Sequence, residues 1–140
     1  MKAPGFSLPD TRGKMVKLSD YKGKLVVMPF FATWCPPCRK EMPTIQKLYE
    51  ELKSNKKIAI IAVGIDRGGK DKIISFAKEN GLTFKILVDE DNKVANSYGV
   101  SNIPTVFIID KKGRIIEKVV GSRDWSDKET VDKIKAFAGR

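Results

Sequence analysis

The chain has 140 residues, 41% hydrophobic and 31% charged, a composition that folds around its own core and excludes a disordered chain. Its longest apolar runs, 25–32 and 58–63, fall far short of the roughly 20 residues of a membrane span. The net charge of +10 comes from 27 Lys and Arg against 17 Asp and Glu; it favours acidic partners or an anionic membrane face. The cations are scattered, however (Lys53, Lys56, Lys57; Lys111, Lys112, Arg114), without interleaved aromatics or a nucleic-acid motif, so they read as a solvated face and no nucleic-acid partner is expected.

The opening MKAPGFSLPD lacks the apolar stretch of a signal peptide, so the chain reads as cytosolic or as a mature or trimmed form. FSLPDTRGKMVKLSD predicts two short strands around a Pro-Asp-Thr-Arg-Gly turn. Residues 24–32 form a continuous apolar run, the pattern of a buried central strand. Both cysteines follow, Cys35 and Cys38, with Pro36 and Pro37 between them. Beyond them Ile45, Leu48, Tyr49 and Leu52 recur at helical spacing, which puts the pair at a helix start. A second buried strand is expected over 58–65, then a helix over 71–80 stopped by Gly81. A strand over 84–88 and a short helix over 92–98 come next. Residues 105–110 and 114–121 predict a hairpin across Lys-Lys-Gly. The last helix opens on the capping-box spacing Ser126-x-x-Glu129 and buries Val131, Ile134 and Phe137. Alternating strands and helices make an α/β fold, a mixed sheet covered by helices on both faces, in one domain over 1–140.

The cysteine pair carries the chemistry. A thiol does redox work as its thiolate, and a helix N-terminus favours that anion through its free N–H groups and dipole. Cys35 is therefore expected to be the exposed, attacking sulfur, and Cys38, one turn inside, the resolving one. Pro36 and Pro37 suit the first turn but remove two N–H donors, leaving Cys38 N–H as the main local donor to the Cys35 sulfur. A structural disulfide across so short a loop would constrain the unfolded chain little. A zinc site needs four ligands, and with no histidine and no further cysteine the chain cannot supply them alone.

Trp34-Cys35-Pro36-Pro37-Cys38 after an apolar strand, with Ile103-Pro104-Thr105 before a later one, resembles the thioredoxin fold. The lead-in APGFSLPDTRGKMVKLSDYKGK, the site ATWCPPCRKEMP and VSNIPT resemble its TlpA/ResA-like branch, within the wider AhpC/TSA–thioredoxin superfamily. The resemblance covers nearly the whole chain, including an N-terminal β-hairpin and an inserted helix–strand element over 71–88. It implies a thiol-disulfide oxidoreductase that reduces protein disulfides, needs no cofactor or metal, and works as a monomer on proteins with a disulfide or cysteine pair. An upstream dithiol would re-reduce it. It implies an extracytoplasmic setting, often cytochrome c maturation. It also implies a cis Ile103–Pro104 bond beside Cys35, leaving the Ile103 backbone free to pair with an extended substrate.

Glu41 matches the Glu of CxxCxxExP, one turn beyond Cys38; it reads either as a proton-exchange partner of that sulfur or as a surface glutamate. Trp34 and Pro36 border the cysteines, and Trp34 reads as groove rim or as core. Pro43 should kink the helix. Pro29 departs from the family pattern: it stands six residues before Cys35, where thioredoxin carries a buried aspartate, and predicts a bulge or distortion. Two other chemistries stay in view. A peroxiredoxin-type peroxidase would need Pro-x-x-x-Thr-x-x-Cys, and Pro29, Thr33 and Cys35 come one residue short. An assembly factor binding Cu(I) would use the same two thiols without turnover.

Overall fold

The computed structural model describes all 140 residues. The predicted N-terminal hairpin is present as β1 (Ser7–Pro9) and β2 (Met15–Lys17), with Leu8 opposite Val16. Asp10 closes its turn by accepting the Arg12 and Lys14 N–H groups at 2.8 and 3.0 Å, as aspartate does in tight turns. A single 3-10 turn over Leu18–Tyr21 leads to β3 (Leu25–Phe31). The remaining strands are β4 (Ile58–Gly64), β5 (Lys85–Val88), β6 (Thr105–Ile109) and β7 (Ile115–Val120), in the order β5-β4-β3-β6-β7. The first three run parallel; β6 is antiparallel to β3, and β7 to β6. The helices are α1 (Pro36–Leu52), α2 (Lys70–Glu79), α3 (Lys93–Ser97) and α4 (Lys128–Ala138). Each expected element is found, in a thioredoxin-like mixed sheet.

The alternation of β3 divides the core. Leu25, Val27 and Phe31 face a layer built from α1, α2 and α4, while Val26, Met28 and Phe30 face one built from α3 and the N-terminal hairpin. On the second face Phe30, Tyr98 and Phe107 meet edge to face or tilted, centroids 5.2–5.7 Å apart, a geometry that adds to the burial of each ring. With both faces covered, every residue of β3 is buried, which is why its sequence reads as an unbroken apolar run.

Three expectations need correction. Pro29 breaks the ladder locally, as expected, but without a bulge: pairing lapses at Met28 and Pro29 while β3 and β4 keep one register from Leu25↔Ile58 to Phe31↔Gly64. Leu25 N–H donates to Lys57 and Phe31 C=O accepts from Ile65, so the alternate residue Pro29 also turns its backbone to β4, and its missing donor costs that ladder alone. The β6 side pairs continuously through Pro29↔Val106. Ser126 does not cap α4. The cap is Asp127, whose carboxyl accepts Thr130 N–H at 2.7 Å, a shorter reach than a hydroxyl one residue further from the helix would have. Phe137 is only partly buried, and Ala138 takes the inward position. α1 continues through Pro43 to Leu52 as one helix.

The chain reaches the Ile103–Pro104 loop through α3, and Asp89 holds that helix. Fully buried, it accepts Val94 N–H at 3.2 Å and Ala95 N–H at 2.8 Å, while Asn92 takes the left-handed turn at φ 62°. Replacing Asp89 by Ala strands two buried donors and should lower unfolding stability by about 2–4 kcal/mol in urea titration. Asp89→Asn, which keeps the size and one acceptor oxygen, should recover part of that loss; an Asn as damaging as Ala would assign the effect to the lost charge rather than to the number of acceptors.

Candidate active site

Where β3 ends, the chain turns through Ala32, Thr33 and Trp34 and starts α1 with Cys35 as its N-cap, at φ −91° and ψ 110°. Pro36 and Pro37 fill the first two helical positions, where no N–H is missed. The first free donor is Cys38 N–H, and it reaches the Cys35 sulfur at 3.3 Å; Arg39 N–H takes the Cys35 carbonyl at 3.0 Å. The sulfur is thus the side-chain cap of the helix. Both cysteines are free thiols. Cys35 is less open than expected, 4% exposed, while Cys38 is wholly buried. The Cys35 thiol also lies 3.7 Å from the Ile103 carbonyl oxygen, to which it donates.

The Ile103–Pro104 bond is cis, and the loop it shapes stands directly beside Cys35. Ile103 N–H makes no hydrogen bond within the chain. Trp34, next to Cys35 in the chain, is 68% exposed, which excludes the core reading. Pro36 is exposed next to it and Pro104 buried. The geometry therefore collects Trp34, Cys35, Pro36, Ile103 and Pro104 around one thiol.

Glu41 is not a surface glutamate. It is fully buried one turn beyond Cys38. Its Oε2 accepts the backbone N–H of Arg123 at 2.9 Å, and its Oε1 has no partner. Burial pushes its pKa up to about 7; the Arg123 N–H, the Trp125 indole and the Arg123 guanidinium pull the other way. Cys38 is pushed up as well, by burial first, then by the Cys35 sulfur and the Glu41 charge. A thiol and a carboxyl that each resist ionisation stand one turn apart on α1, near enough for the charge of one to act on the other, an arrangement suited to passing a proton.

Two supports of the site escaped the sequence reading. The segment between β7 and α4 lies over α1: Thr44 Oγ1 donates to the Glu41 carbonyl at 2.7 Å and accepts Trp125 N–H at 3.1 Å. On the other flank buried Asp66, at the carboxyl end of β4, accepts Thr33 N–H at 3.0 Å and Thr33 Oγ1–H at 2.5 Å. Arg39 closes that flank, donating to the Thr33 carbonyl at 2.9 Å and lying over the Phe76 ring. An acid just past a buried parallel strand was the one signal that pointed to Asp66, since sites gather at such strand ends.

The AhpC/TSA family model matches residues 1–118. The thiol-disulfide oxidoreductase ResA of Bacillus thuringiensis (strain Al Hakam) is 40% identical over 121 residues, 86% of this chain and 69% of the relative. A crystal structure of a thiol:disulfide interchange protein of the thioredoxin family from Chlorobium tepidum TLS superposes with a TM-score of 0.83 at 28% identity, covering 99% of this chain and 97% of that one. StoA from Bacillus subtilis gives 0.78 at 26% identity, over 96% of each chain. The chain belongs to the AhpC/TSA family and, within it, to the ResA-like thiol-disulfide oxidoreductases of thioredoxin fold.

Proposed function

We propose that this chain, as one thioredoxin-like domain over 1–140, reduces disulfides of other proteins through Cys35 and Cys38, with Glu41 as the proton partner of Cys38. The Cys35 thiolate attacks one sulfur of the partner's disulfide; that bond breaks, a Cys35–partner disulfide forms, and the partner's other sulfur leaves and takes a proton. Cys38 then gives its proton to the Glu41 carboxylate and attacks the Cys35 sulfur. The partner leaves as a dithiol and the chain is left with a Cys35–Cys38 disulfide, which an upstream dithiol reduces. Trp34, Pro36, Ile103 and Pro104 form the groove, and the free Ile103 N–H pairs with an extended partner segment as an added strand would.

One observation carries this reading: the Cys35 sulfur is the cap of α1, held by Cys38 N–H and faced by the Ile103 loop. The donor count supports the reducing direction. With Pro36 and Pro37 in the first turn, the sulfur anion receives one backbone hydrogen bond, so the dithiol form is not held as strongly as in an oxidant. The family resemblance supports the finer setting: an extracytoplasmic reductant of cysteine pairs such as those of an apocytochrome c. No helix of the chain is long and apolar enough to cross a membrane.

Cys38→Ser should accumulate a Cys35-linked mixed disulfide with a disulfide-bearing peptide, seen by intact mass, whereas Cys35→Ser should form none. Trapping through Cys38 instead would reverse the assigned roles. Glu41→Gln should slow release of the partner about 10²-fold at neutral pH, the usual scale of a lost acid–base group, and leave mixed-disulfide formation largely intact. The same carboxyl sets a stability trend. Its folded pKa of about 7 stands above the ordinary 4.5, so the folded chain binds the proton more tightly than the unfolded one. The contribution of Glu41 to stability is then full below about pH 4.5 and falls by about 3 kcal/mol as pH rises to 7. Urea titrations of the reduced protein from acid to neutral pH should show this slope against a flatter Glu41→Gln.

A further inference from the structure

Two buried side-chain atoms in this molecule have no hydrogen-bond partner, Glu41 Oε1 and Trp125 Nε1. Both are buried where the segment ahead of α4 crosses α1. Trp125, 1% exposed, is carried over α1 by the segment whose Arg123 N–H already holds Glu41 Oε2. Its indole is directed at the carboxyl closely enough to stabilise the charged form, yet stops short of a hydrogen bond. A buried indole N–H without a partner is costly and uncommon, so its place opposite the one free carboxyl oxygen calls for a reason.

We propose that Trp125 is a positioning residue for Glu41, its indole N–H closing onto Oε1 when the carboxyl loses its proton and letting go when the proton returns. This rests on the proton role given to Glu41 above. The backbone bond from Arg123 is fixed and serves both forms of the carboxyl. The indole bond is made in one form only, so it favours the carboxylate that must receive the Cys38 proton. The Trp125 ring is held from both sides: Thr44 Oγ1 fixes its backbone N–H at 3.1 Å, and the Arg123 guanidinium lies 5.2 Å over the ring. Thr130 on α4 in turn holds that guanidinium at 3.0 Å. The ionisable groups that Glu41 meets are Cys38, one turn before it on its own helix, and Arg123 above it. On this side of the sheet β3 presents Val27, Pro29 and Phe31, and α4 presents Val131 and Ile134, none of which titrates.

The test follows the indole N–H signals of the reduced protein by NMR from about pH 5 to pH 9. The chain has only two tryptophans and no histidine. The Trp125 signal should move through the same midpoint as the Glu41 carboxyl carbon, and the movement should vanish in Glu41→Gln. Trp125→Phe should raise the Glu41 midpoint by about one pH unit, the scale of one hydrogen bond to a charged group. Release of a trapped partner should then slow about fivefold at pH 7 and recover at higher pH. A Trp125 signal that stays flat while Glu41 titrates overturns the proposal, as does a Glu41 midpoint unmoved by Trp125→Phe. The wild-type titration decides even if that variant fails to fold. If Glu41→Gln leaves partner release unchanged, the proton role of Glu41 falls, while a pH-linked indole signal would still uphold the contact.

Discussion

The structure turns on one hydrogen bond, from Cys38 N–H to the Cys35 sulfur. A helix start must find acceptors for its first N–H groups, and most helices use a hydroxyl or carboxyl for this. Here two prolines leave a single donor to satisfy in the first turn, and a thiol takes it. The cap and the reactive atom are therefore the same sulfur. Whatever places the start of α1 also places the chemistry. That work falls to β3, buried along its whole length between two apolar layers, and to the Thr33–Asp66 pair that fixes the turn between strand and helix.

The surroundings of the second sulfur follow from what β3 cannot supply. Pro29 sits on the α1 side of the sheet, where a strand acid would stand beneath the thiols in thioredoxin. With no acid on the strand, the buried acid comes from the helix instead, as Glu41. A helix residue one turn beyond Cys38 cannot reach solvent past the segment from Gly121 to Trp125, so the carboxyl is dry and its proton affinity high. That affinity suits the proton exchange proposed for it near neutral pH, where an ordinary glutamate would stay ionised. The cost appears as a buried oxygen with no partner, which a chain selected for stability alone would have no cause to keep.

The elements were legible because their periods are clean: seven apolar residues in β3, a 3.6-residue repeat in α1, Gly81 at a positive φ ending α2. The thiol pair and the Ile103–Pro104 loop were legible because their residue types are rare and their order is specific. What could not be read were distances across the fold. Arg123 and Trp125 stand more than 80 positions after Glu41, in a stretch whose Gly, Ser and Asp look like a plain linker. Asp66 lies 33 positions from Thr33. Ser126 and Asp127 are both good caps by type, and only the path of the chain decides between them. Pro29 was legible only in part, as a break in the β4 ladder and not in its extent. A proline was expected to deform a central strand, but its missing donor faces one neighbour, and an unbroken ladder with β6 holds the register.

The central claim is that this dithiol gives electrons to other proteins' disulfides. The measurement that tests it most directly is the reduction potential of the Cys35–Cys38 pair, equilibrated against defined thiol–disulfide buffers at neutral pH. A single backbone donor at the Cys35 sulfur predicts a potential nearer to about −270 mV, thioredoxin's value, than to about −120 mV, that of the oxidant DsbA. A value at the oxidising end, or a pair that forms no reversible disulfide, would contradict the account.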